Sequence, residues 1–406
     1  MMLLALAVSL ADCVPARWPF ADAQSLELLN NSPVNCLIVG NDFKAAKEAE
    51  ERGLRVLTST DFLAATRATM KLDAAGEVTG TTQALWPGIR LQKEGAIHAG
   101  PTGAAWIDTN GGFLRFVRAL LPRETALWVG NRPPTDIVLG PQRYIQAIGD
   151  AAISGARWVL AFDPAFEKAL TARDKRALED WARINSVLRF YEDNRRWWDA
   201  PDLSSLAVIQ DTSAGALATG GIMDMIVSKH IPVEVVTPAH LAVAQFVDVQ
   251  MLLNLDPSLL DDEQKRRVSE IARRGATVLS GPPGWKMTQP AGDGYTFNDE
   301  QVKQLGEIWR EVNGILGRRN FGVRLFNAAT MLANLKTPDR GKTAALLLVN
   351  YSDYPVEDNT VQVAGPYKTA KLLTPRGPRA VDVFPVEDGL DITIKHLDDV
   401  AILVLE

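Results

Sequence analysis

The sequence predicts an α/β protein in three parts: a short or degenerate (β/α) barrel, a flavodoxin- or Rossmann-like α/β sandwich, and a small antiparallel β-sandwich. Three features of the pattern lead to this prediction. Apolar runs alternate with amphipathic stretches along residues 14–200, the alternation restarts after Pro201, and from about residue 331 short strands follow one another between turn residues. We therefore expect domains at 14–200, 201–328 and 329–406.

The composition is typical of a globular protein and narrows the set of partners. The chain has 406 residues, of which 47% are hydrophobic and 23% charged, and its net charge is −6. Because there is no excess of basic residues, nucleic acid is not an expected partner. The four histidines and two cysteines lack the spacing of a metal site, so no metal or other cofactor is predicted. Cys36 lies in an apolar run and is predicted to be a buried thiol.

The first eleven residues are almost wholly apolar, which is typical of the hydrophobic part of a secretory signal. The run is too short to span a bilayer. We expect residues 1–13 to form a signal or anchor segment and the protein to be periplasmic or extracellular. The alternative is a mis-set start codon or a frayed terminus on a cytoplasmic protein.

The first part holds five or six βα units, fewer than the eight of a complete barrel. The predicted strands lie at 35–40, 55–58, 84–91, 126–129 and 157–163. The predicted helices lie at 43–52, 60–70, 113–121, 144–154 and 172–194. The paired tryptophans that follow the last helix, Trp197 and Trp198, are predicted to pack at a domain junction.

Two of these strands end in polar residues. The run at 126–129 is followed by Asn131, Arg132 and a double proline, and the run at 157–163 ends in Asp163. In parallel α/β folds, polar residues just beyond the carboxyl ends of strands face the ligand crevice. The sequence therefore predicts a functional site at this edge of the first domain.

The middle part reads as a parallel sheet without its usual nucleotide site. Its glycines at 215, 220 and 221 lack the spacing of a dinucleotide fingerprint, and no acidic residue ends its second strand. No Gly-x-Ser-x-Gly elbow is present. We expect no dinucleotide here and assign the part a structural or interface role, including contacts in a homo-oligomer. The predicted strands lie at 206–209, 233–236, 247–253 and 276–279.

The last part reads as antiparallel strands at 344–351, 360–363, 369–373, 380–384, 390–394 and 400–405. The run at 339–343, Asp-Arg-Gly-Lys-Thr, resembles the end of a phosphate-binding loop. It lacks the earlier glycine and precedes a sandwich strand, so a phosphate site is not predicted there.

The candidate catalytic and sugar-binding residues of the first domain are its carboxylates and aromatic rings. Asp108 lies in a glycine-rich loop beside Trp106, Asp163 ends a strand, and Asp136 follows the double proline. Glycoside hydrolysis requires two carboxyl groups across one bond, and an aromatic ring suits the apolar face of a sugar. Asp163 could instead cap the helix that begins at Pro164.

The order of the three parts resembles that of bacterial multidomain glycoside hydrolases. It is similar to the β-galactosidases that carry a trimerisation domain of glutamine-amidotransferase-like fold. Such barrels usually place their catalytic acid in an Asn-Glu-Pro at the end of the fourth strand. Here the similar position is Asn131-Arg132-Pro133, so the family glutamate is replaced by arginine. The resemblance implies a carbohydrate as substrate or ligand.

Three interpretations of the site follow. In the first, the protein is a glycoside hydrolase with Asp108 and Asp163 as its catalytic pair. The residues expected to bind the substrate are Trp86, Trp106, Asn110, Asn131, Arg132 and Asp136. In the second reading, the chain is a non-catalytic carbohydrate-binding or structural relative. A third reading is an unrelated α/β enzyme whose site includes Asp211.

Overall fold

The computed structural model describes residues 10–58, 65–66, 81–83, 86, 90–94, 96–100, 109–121, 125–133, 137–210, 223, 226–227, 229–241, 249–254, 257–281, 299–317, 322–339 and 341–406. Within these residues, parallel sheets with helices occupy the chain up to about residue 317, and antiparallel sheets follow. No helix of this part of the chain is long and apolar enough to cross a membrane.

The first unit combines short parallel strands with helices. Its strands are β1 (Pro15–Arg17), β2 (Cys36–Val39), β3 (Arg55–Thr58), β4 (Ala65–Thr66), β5 (Thr81–Gln83), β6 (Arg90–Glu94), β7 (Ala96–Gly100), β8 (Trp128–Gly130) and β9 (Arg157–Trp158). Its helices are α1 (Ala46–Glu51), α2 (Gly111–Leu120), α3 (Pro141–Ile153), α4 (Pro164–Thr171), α5 (Lys175–Asp193) and α6 (Arg195–Trp198). The predicted helix at 60–70 is wrong at Ala65–Thr66, because these residues pair with β5 as a strand.

The first and last strands of this unit are neighbours. β1, β2 and β3 form one parallel sheet, and β4, β5, β8 and β9 form another. The N–H of Arg17 donates to the carbonyl of Leu160 (2.7 Å), and the N–H of Leu160 donates to the carbonyl of Pro15 (3.1 Å). These bonds place β1 beside the chain that leaves β9, giving the order β3-β2-β1-β9-β8-β5-β4. β6 and β7 form a separate antiparallel hairpin.

The two cysteines form a disulfide, which corrects the prediction of a buried thiol at Cys36. Cys13 and Cys36 are bonded with their Cα atoms 5.4 Å apart. Cys13 precedes β1 and Cys36 begins β2, so the pairing of these two strands brings the sulfurs together. The sequence separation of 23 residues hid this proximity.

Residues 10–13 contact the first unit, and the signal or anchor segment expected at 1–13 stays a prediction. The carbonyl of Ala11 accepts a hydrogen bond from Arg157 (2.6 Å), and the carboxylate of Asp12 pairs with Arg195 (2.7 Å).

The middle unit is an open parallel sheet, as predicted. Its strands β10 (Leu206–Ile209), β11 (Glu234–Val236), β12 (Met251–Asn254) and β13 (Thr277–Ser280) pair in the order β11-β10-β12-β13. Its helices are α7 (Asp262–Arg273) and α8 (Asp299–Leu316). In this order the second strand of the unit, β11, lies at the edge of the sheet and the first strand, β10, lies next to it, as in doubly wound folds. Asp211 and the glycines at 215, 220 and 221 lie outside the described residues.

The last unit consists of two antiparallel sheets facing each other across a core of aliphatic side chains. One sheet has the order β14-β17-β21-β20, from β14 (Val323–Phe326), β17 (Val356–Ala364), β21 (Gly389–Leu397) and β20 (Asp382–Val386). The other has the order β15-β16-β22-β18-β19, from β15 (Met331–Lys336), β16 (Ala344–Asn350), β22 (Val400–Leu405), β18 (Ala370–Thr374) and β19 (Gly377–Arg379). Because β14 pairs with β17, the sandwich begins before the predicted boundary at residue 329.

Helix α3 joins the first unit to the sandwich. It packs on β16 and β22, and Gly149 is the point of closest approach. A Cβ atom at this position would lie 2.9 Å from Cγ2 of Val349 and 3.0 Å from Cγ1 of Val400. Trp197 and Trp198 are also buried, and their helix contacts β16, so they lie at the predicted junction.

A buried carboxylate strengthens the same junction. Asp150 of α3 accepts hydrogen bonds from the backbone and side-chain nitrogens of Asn110 (3.0 Å each), the hydroxyl of Thr109, and the hydroxyl of Tyr351 (2.6 Å). Burial, followed by the Asp150 charge, raises the pKa of Tyr351 well above its usual value. The tyrosine therefore stays a neutral donor from the sandwich to a carboxylate of the first unit.

We expect Gly149→Ala to lower the free energy of unfolding by about 1–3 kcal/mol, because the added methyl group must displace Val349 and Val400. Gly306→Ala is the matched control. Gly306 lies inside α8 with open space at its Cβ position, so alanine there should be neutral or stabilise by up to about 1 kcal/mol. Chemical denaturation measures both. Equal effects would contradict the close packing at Gly149.

Replacing both cysteines by alanine should cost about 3 kcal/mol of stability, because the disulfide closes a loop of 23 residues in the unfolded chain. Dithiothreitol should destabilise the parent protein and leave the double variant unchanged. Thiol titration of the unreduced, unfolded protein should find no free thiol. Two free thiols would contradict the bond.

Candidate active site at the carboxyl ends of the parallel strands

A cavity of about 430 Å³ opens at the carboxyl ends of the first-unit strands. Four consecutive segments of the sheet line it: the ends of β1 and β2, and the chain that follows β8 and β9. This is the edge at which parallel sheets bind their ligands. The lining residues are Arg17, Trp18, Pro19, Ile38, Val39, Gly40, Asp42, Arg132, Pro133, Ala161, Phe162, Pro164 and Glu167.

Buried aromatic and aliphatic side chains hold the inner wall of the cavity in place. Trp18 and Phe162 are 4% and 5% exposed, and their rings meet edge to face at 6.3 Å. The indole N–H of Trp18 donates to the hydroxyl of Ser25 (3.1 Å), which fixes the ring. The wall beneath the polar groups is therefore apolar and rigid.

Two guanidinium groups reach the cavity. Arg17 is the last residue of β1 and is half-buried, and Arg132 follows β8 and is exposed. Burial, followed by the charge of Arg132, lowers the pKa of Arg17. The two positive charges therefore lie in the lining of one cavity and disfavour each other.

Two carboxyl groups also line the cavity. Asp42 is exposed in the turn after β2, and Glu167 is partly buried in the first turns of α4. Burial raises the pKa of Glu167, the neighbouring Asp163 charge raises it further, and Arg132 lowers it. The net result is a carboxyl group that holds its proton to a higher pH than usual.

Asp163 is the N-cap of α4 and is fully buried. One carboxylate oxygen accepts the N–H groups of Ala165 and Phe166 (3.1 Å each). The other accepts the hydroxyl of Tyr144 (2.7 Å) and the N–H of Leu139 (3.4 Å). Burial and the Asp163 charge raise the pKa of Tyr144 far above its usual value. Asp163 therefore caps α4, which the sequence analysis gave as the alternative to catalysis, and both of its carboxylate oxygens accept hydrogen bonds from protein donors.

The structure brings only part of the predicted site together. Arg132 lines the cavity, and Asn131 follows the same strand without lining it. Trp86 is 7% exposed and packs edge to face on Tyr144 and Trp158, so it offers no free face to a sugar. Asn110 is fully buried beside Asp150. The predicted residues Trp106, Asp108 and Asp136 lie outside the described residues.

Three lining residues, Arg17, Asp42 and Glu167, were not predicted from the sequence. The signal for Glu167 was present, since it stands four residues after a capping aspartate and so faces the same edge as the cap. The sequence pattern did not indicate Arg17, because its strand is only three residues long and was not predicted. Among the described residues, no group of three His, Cys, Asp or Glu side chains is placed to hold a metal ion.

The comparisons with known proteins find similarity in structure alone. No family model and no curated protein matches the sequence. The structure is similar to α-L-fucosidase isoenzyme 2 from Paenibacillus thiaminolyticus, with a TM-score of 0.58 and 11% identity over 94% of this chain and 79% of that chain. In fold, the chain resembles the glycoside hydrolases that combine a barrel with a β-sandwich, which confirms the predicted resemblance.

Two β-galactosidases align more loosely. The enzyme from Rahnella sp. R3 has a TM-score of 0.47 and 12% identity over 89% of this chain and 65% of its own. The enzyme from Bacillus circulans sp. alkalophilus has a TM-score of 0.45 and 12% identity over 81% of this chain and 64% of its own. The chain therefore spans a little under two thirds of these two proteins.

We expect Asp163→Ala to lower the free energy of unfolding by about 2–4 kcal/mol, because it removes a cap and leaves the buried Tyr144 hydroxyl without its acceptor. Asp174→Ala is the matched control. Asp174 caps α5 through a single hydrogen bond at the surface, so its loss should cost about 1 kcal/mol. Thermal and chemical unfolding measure both, and equal losses would contradict the buried network.

Proposed function

We propose that the protein is a glycoside hydrolase whose active site is the cavity at the strand ends. The observation that carries the proposal is that two carboxyl groups, Glu167 and Asp42, line one cavity at the strand ends of this fold, and burial raises the pKa of Glu167. Glycoside hydrolysis requires this division between a protonated acid and an ionised partner. The likeness to the fucosidase supports the fold in which such a site is placed.

Glu167 is the general acid in this proposal. It donates its proton to the glycosidic oxygen while the bond between that oxygen and the anomeric carbon breaks. Asp163, which the sequence offered as a catalytic residue, acts as a positioning residue. It fixes the start of α4, and its charge helps to keep the proton on Glu167.

The second carboxyl is Asp42 or Asp108. It either attacks the anomeric carbon directly or takes a proton from the water that attacks there. Asp42 lines the cavity, and Asp108 remains the candidate from the sequence. Comparing Asp42→Asn with Asp108→Asn on the same substrate decides between them, because only the catalytic one should cut turnover by about a hundredfold or more.

The order of the first-unit strands supports the domain assignment. We propose that β1, β2, β3, β4, β5, β8 and β9 form a short barrel in which the contact between β1 and the chain after β9 joins the two parallel sheets. The parallel sheet of β10 to β13 is then the flavodoxin-like domain, and the two antiparallel sheets are the terminal sandwich. A homo-oligomer through the middle domain, and the absence of dinucleotide and nucleic acid partners, stay predictions.

We also propose that the protein is exported to the periplasm or beyond. The apolar start of the chain and the disulfide between Cys13 and Cys36 support this, since structural disulfides persist in oxidising compartments. Fractionation of the native host tests it. Protein confined to the cytoplasm with both cysteines reduced would overturn the proposal.

Glu167→Gln should reduce turnover of a responsive glycoside by at least about a hundredfold, because the leaving group then departs without a proton. The loss should be smaller for a dinitrophenyl glycoside, whose leaving group needs little protonation. Glu179→Gln, a carboxyl on the exposed face of α5, is the control and should leave turnover unchanged. A panel of nitrophenyl glycosides of both anomers provides the substrates. An equal loss for both leaving groups would rule out an acid role.

The pH profile follows from the same carboxyl group. The acid must be protonated, so turnover should fall as pH rises through the Glu167 pKa, which burial and Asp163 place above the usual range. Arg132 lowers that pKa, so Arg132→Gln should move the alkaline limb to higher pH. A pH profile of turnover, measured relative to each variant's maximum, tests this.

If the glycosides of the panel and natural oligosaccharides bind without hydrolysis, the chain is the non-catalytic relative.

A further inference from the structure

Arg17 is an unusual group for the inner part of the cavity. Its side chain is half-buried at the end of β1, and its Nε atom is buried without a hydrogen-bond partner. Among the residues that the structure describes, no carboxylate oxygen lies within 4.0 Å of its guanidinium. Burying a charge in this way is costly unless something pairs with it.

Arg132 adds a second positive charge to the same cleft. It is exposed, lines the cavity with Arg17, and likewise forms no ion pair within the described parts of the chain. Its charge disfavours the charged form of Arg17, in agreement with the position of both residues in the lining of one cavity. Guanidinium groups bind carboxylates and sulfates through charge-assisted hydrogen bonds, so two of them in one cavity favour an anionic ligand.

The acidic groups near the cleft do not satisfy this pair. Asp163 is buried and its two oxygens are occupied by four protein donors. Glu167 is shifted toward its neutral form, and Asp42 is exposed to solvent. The partner that would best compensate Arg17 and Arg132 is therefore a negative charge that the ligand brings.

We propose that the cavity takes an anionic saccharide, a uronate or a sulfated sugar, whose charged group is held between Arg17 and Arg132. This inference rests on the proposed function of the same cavity and names the class of sugar it takes. Trp18 and Phe162 make the inner wall of the cavity apolar, and in this proposal the charged substituent fixes the orientation of the sugar.

Direct binding tests the inference without any assumption about linkage. D-galacturonate and galactose 6-sulfate are compared with D-galactose by calorimetry, and free sugars present both anomers. The acidic sugars should bind at least about tenfold more tightly than galactose, because charge-assisted hydrogen bonds to two guanidinium groups are strong. Raising sodium chloride from about 50 to about 500 mM should weaken only the acidic sugars. Comparing the two acidic sugars distinguishes a carboxylate site from a sulfate site.

Arginine variants assign the effect to the cavity. Arg17→Gln should weaken the acidic sugars by at least about tenfold and galactose by less than about twofold. Arg132→Gln, at an exposed position that folding tolerates, should weaken them by about threefold to tenfold. Arg176→Gln removes the same charge from the exposed face of α5 and should change neither.

Three results would overturn the inference. Galactose could bind as tightly as the acidic sugars, the acidic sugars could bind both arginine variants unchanged, or inorganic sulfate could bind as tightly as they do. If galactose binds as tightly as the acidic sugars and neutral glycosides are hydrolysed, the inference fails but the proposed function is supported. Failure of every neutral and acidic sugar to bind or react would overturn both proposals.

Discussion

Two backbone hydrogen bonds between β1 and Leu160 determine the rest of the candidate site. They join the first strand of the chain to its last strand in the first unit, and they do so at the end where the cavity opens. Arg17 and Trp18 leave β1 there, and Phe162 and Glu167 follow Leu160. Groups that are about 150 residues apart in sequence become neighbours by sheet pairing alone. Without this pairing, the carboxyl and guanidinium groups would belong to separate edges.

Hydrogen bonds and packing contacts outside the cavity fix the segments that line it. Asp163 binds the start of α4, the hydroxyl of Tyr144 and the N–H of Leu139, so one carboxylate fixes three segments. On the opposite end of α3, Asp150 and Gly149 hold the helix to the sandwich. Because α3 is fixed at both places, the sandwich supports the geometry of a site that it does not touch. Such support is what a preorganised site requires.

The sequence predicted the strands of the fold more successfully than the residues that line the cavity. The parallel strands, the middle sheet and Arg132 at a strand end follow from local apolar patterns and turn residues. The failures depend on distant pairing. Cys13 meets Cys36 only because β1 pairs with β2, and Arg17 matters only because that short strand closes the sheet. Trp86 is a core ring because α3 covers it, and local sequence does not record such burial.

The two arginines and Glu167 form one electrostatic unit. Arg132 favours ionised Glu167, whereas burial and Asp163 favour the protonated form, so the acid is balanced between opposing effects. A ligand anion that pairs with Arg132 cancels part of its positive field at Glu167. In the proposed mechanism, the pKa of Glu167 then rises on binding, which favours the protonated acid. A neutral sugar leaves the Arg132 field intact and gains no such help. In the proposed mechanism, the charge of the substrate and acid catalysis by Glu167 are therefore coupled through Arg132.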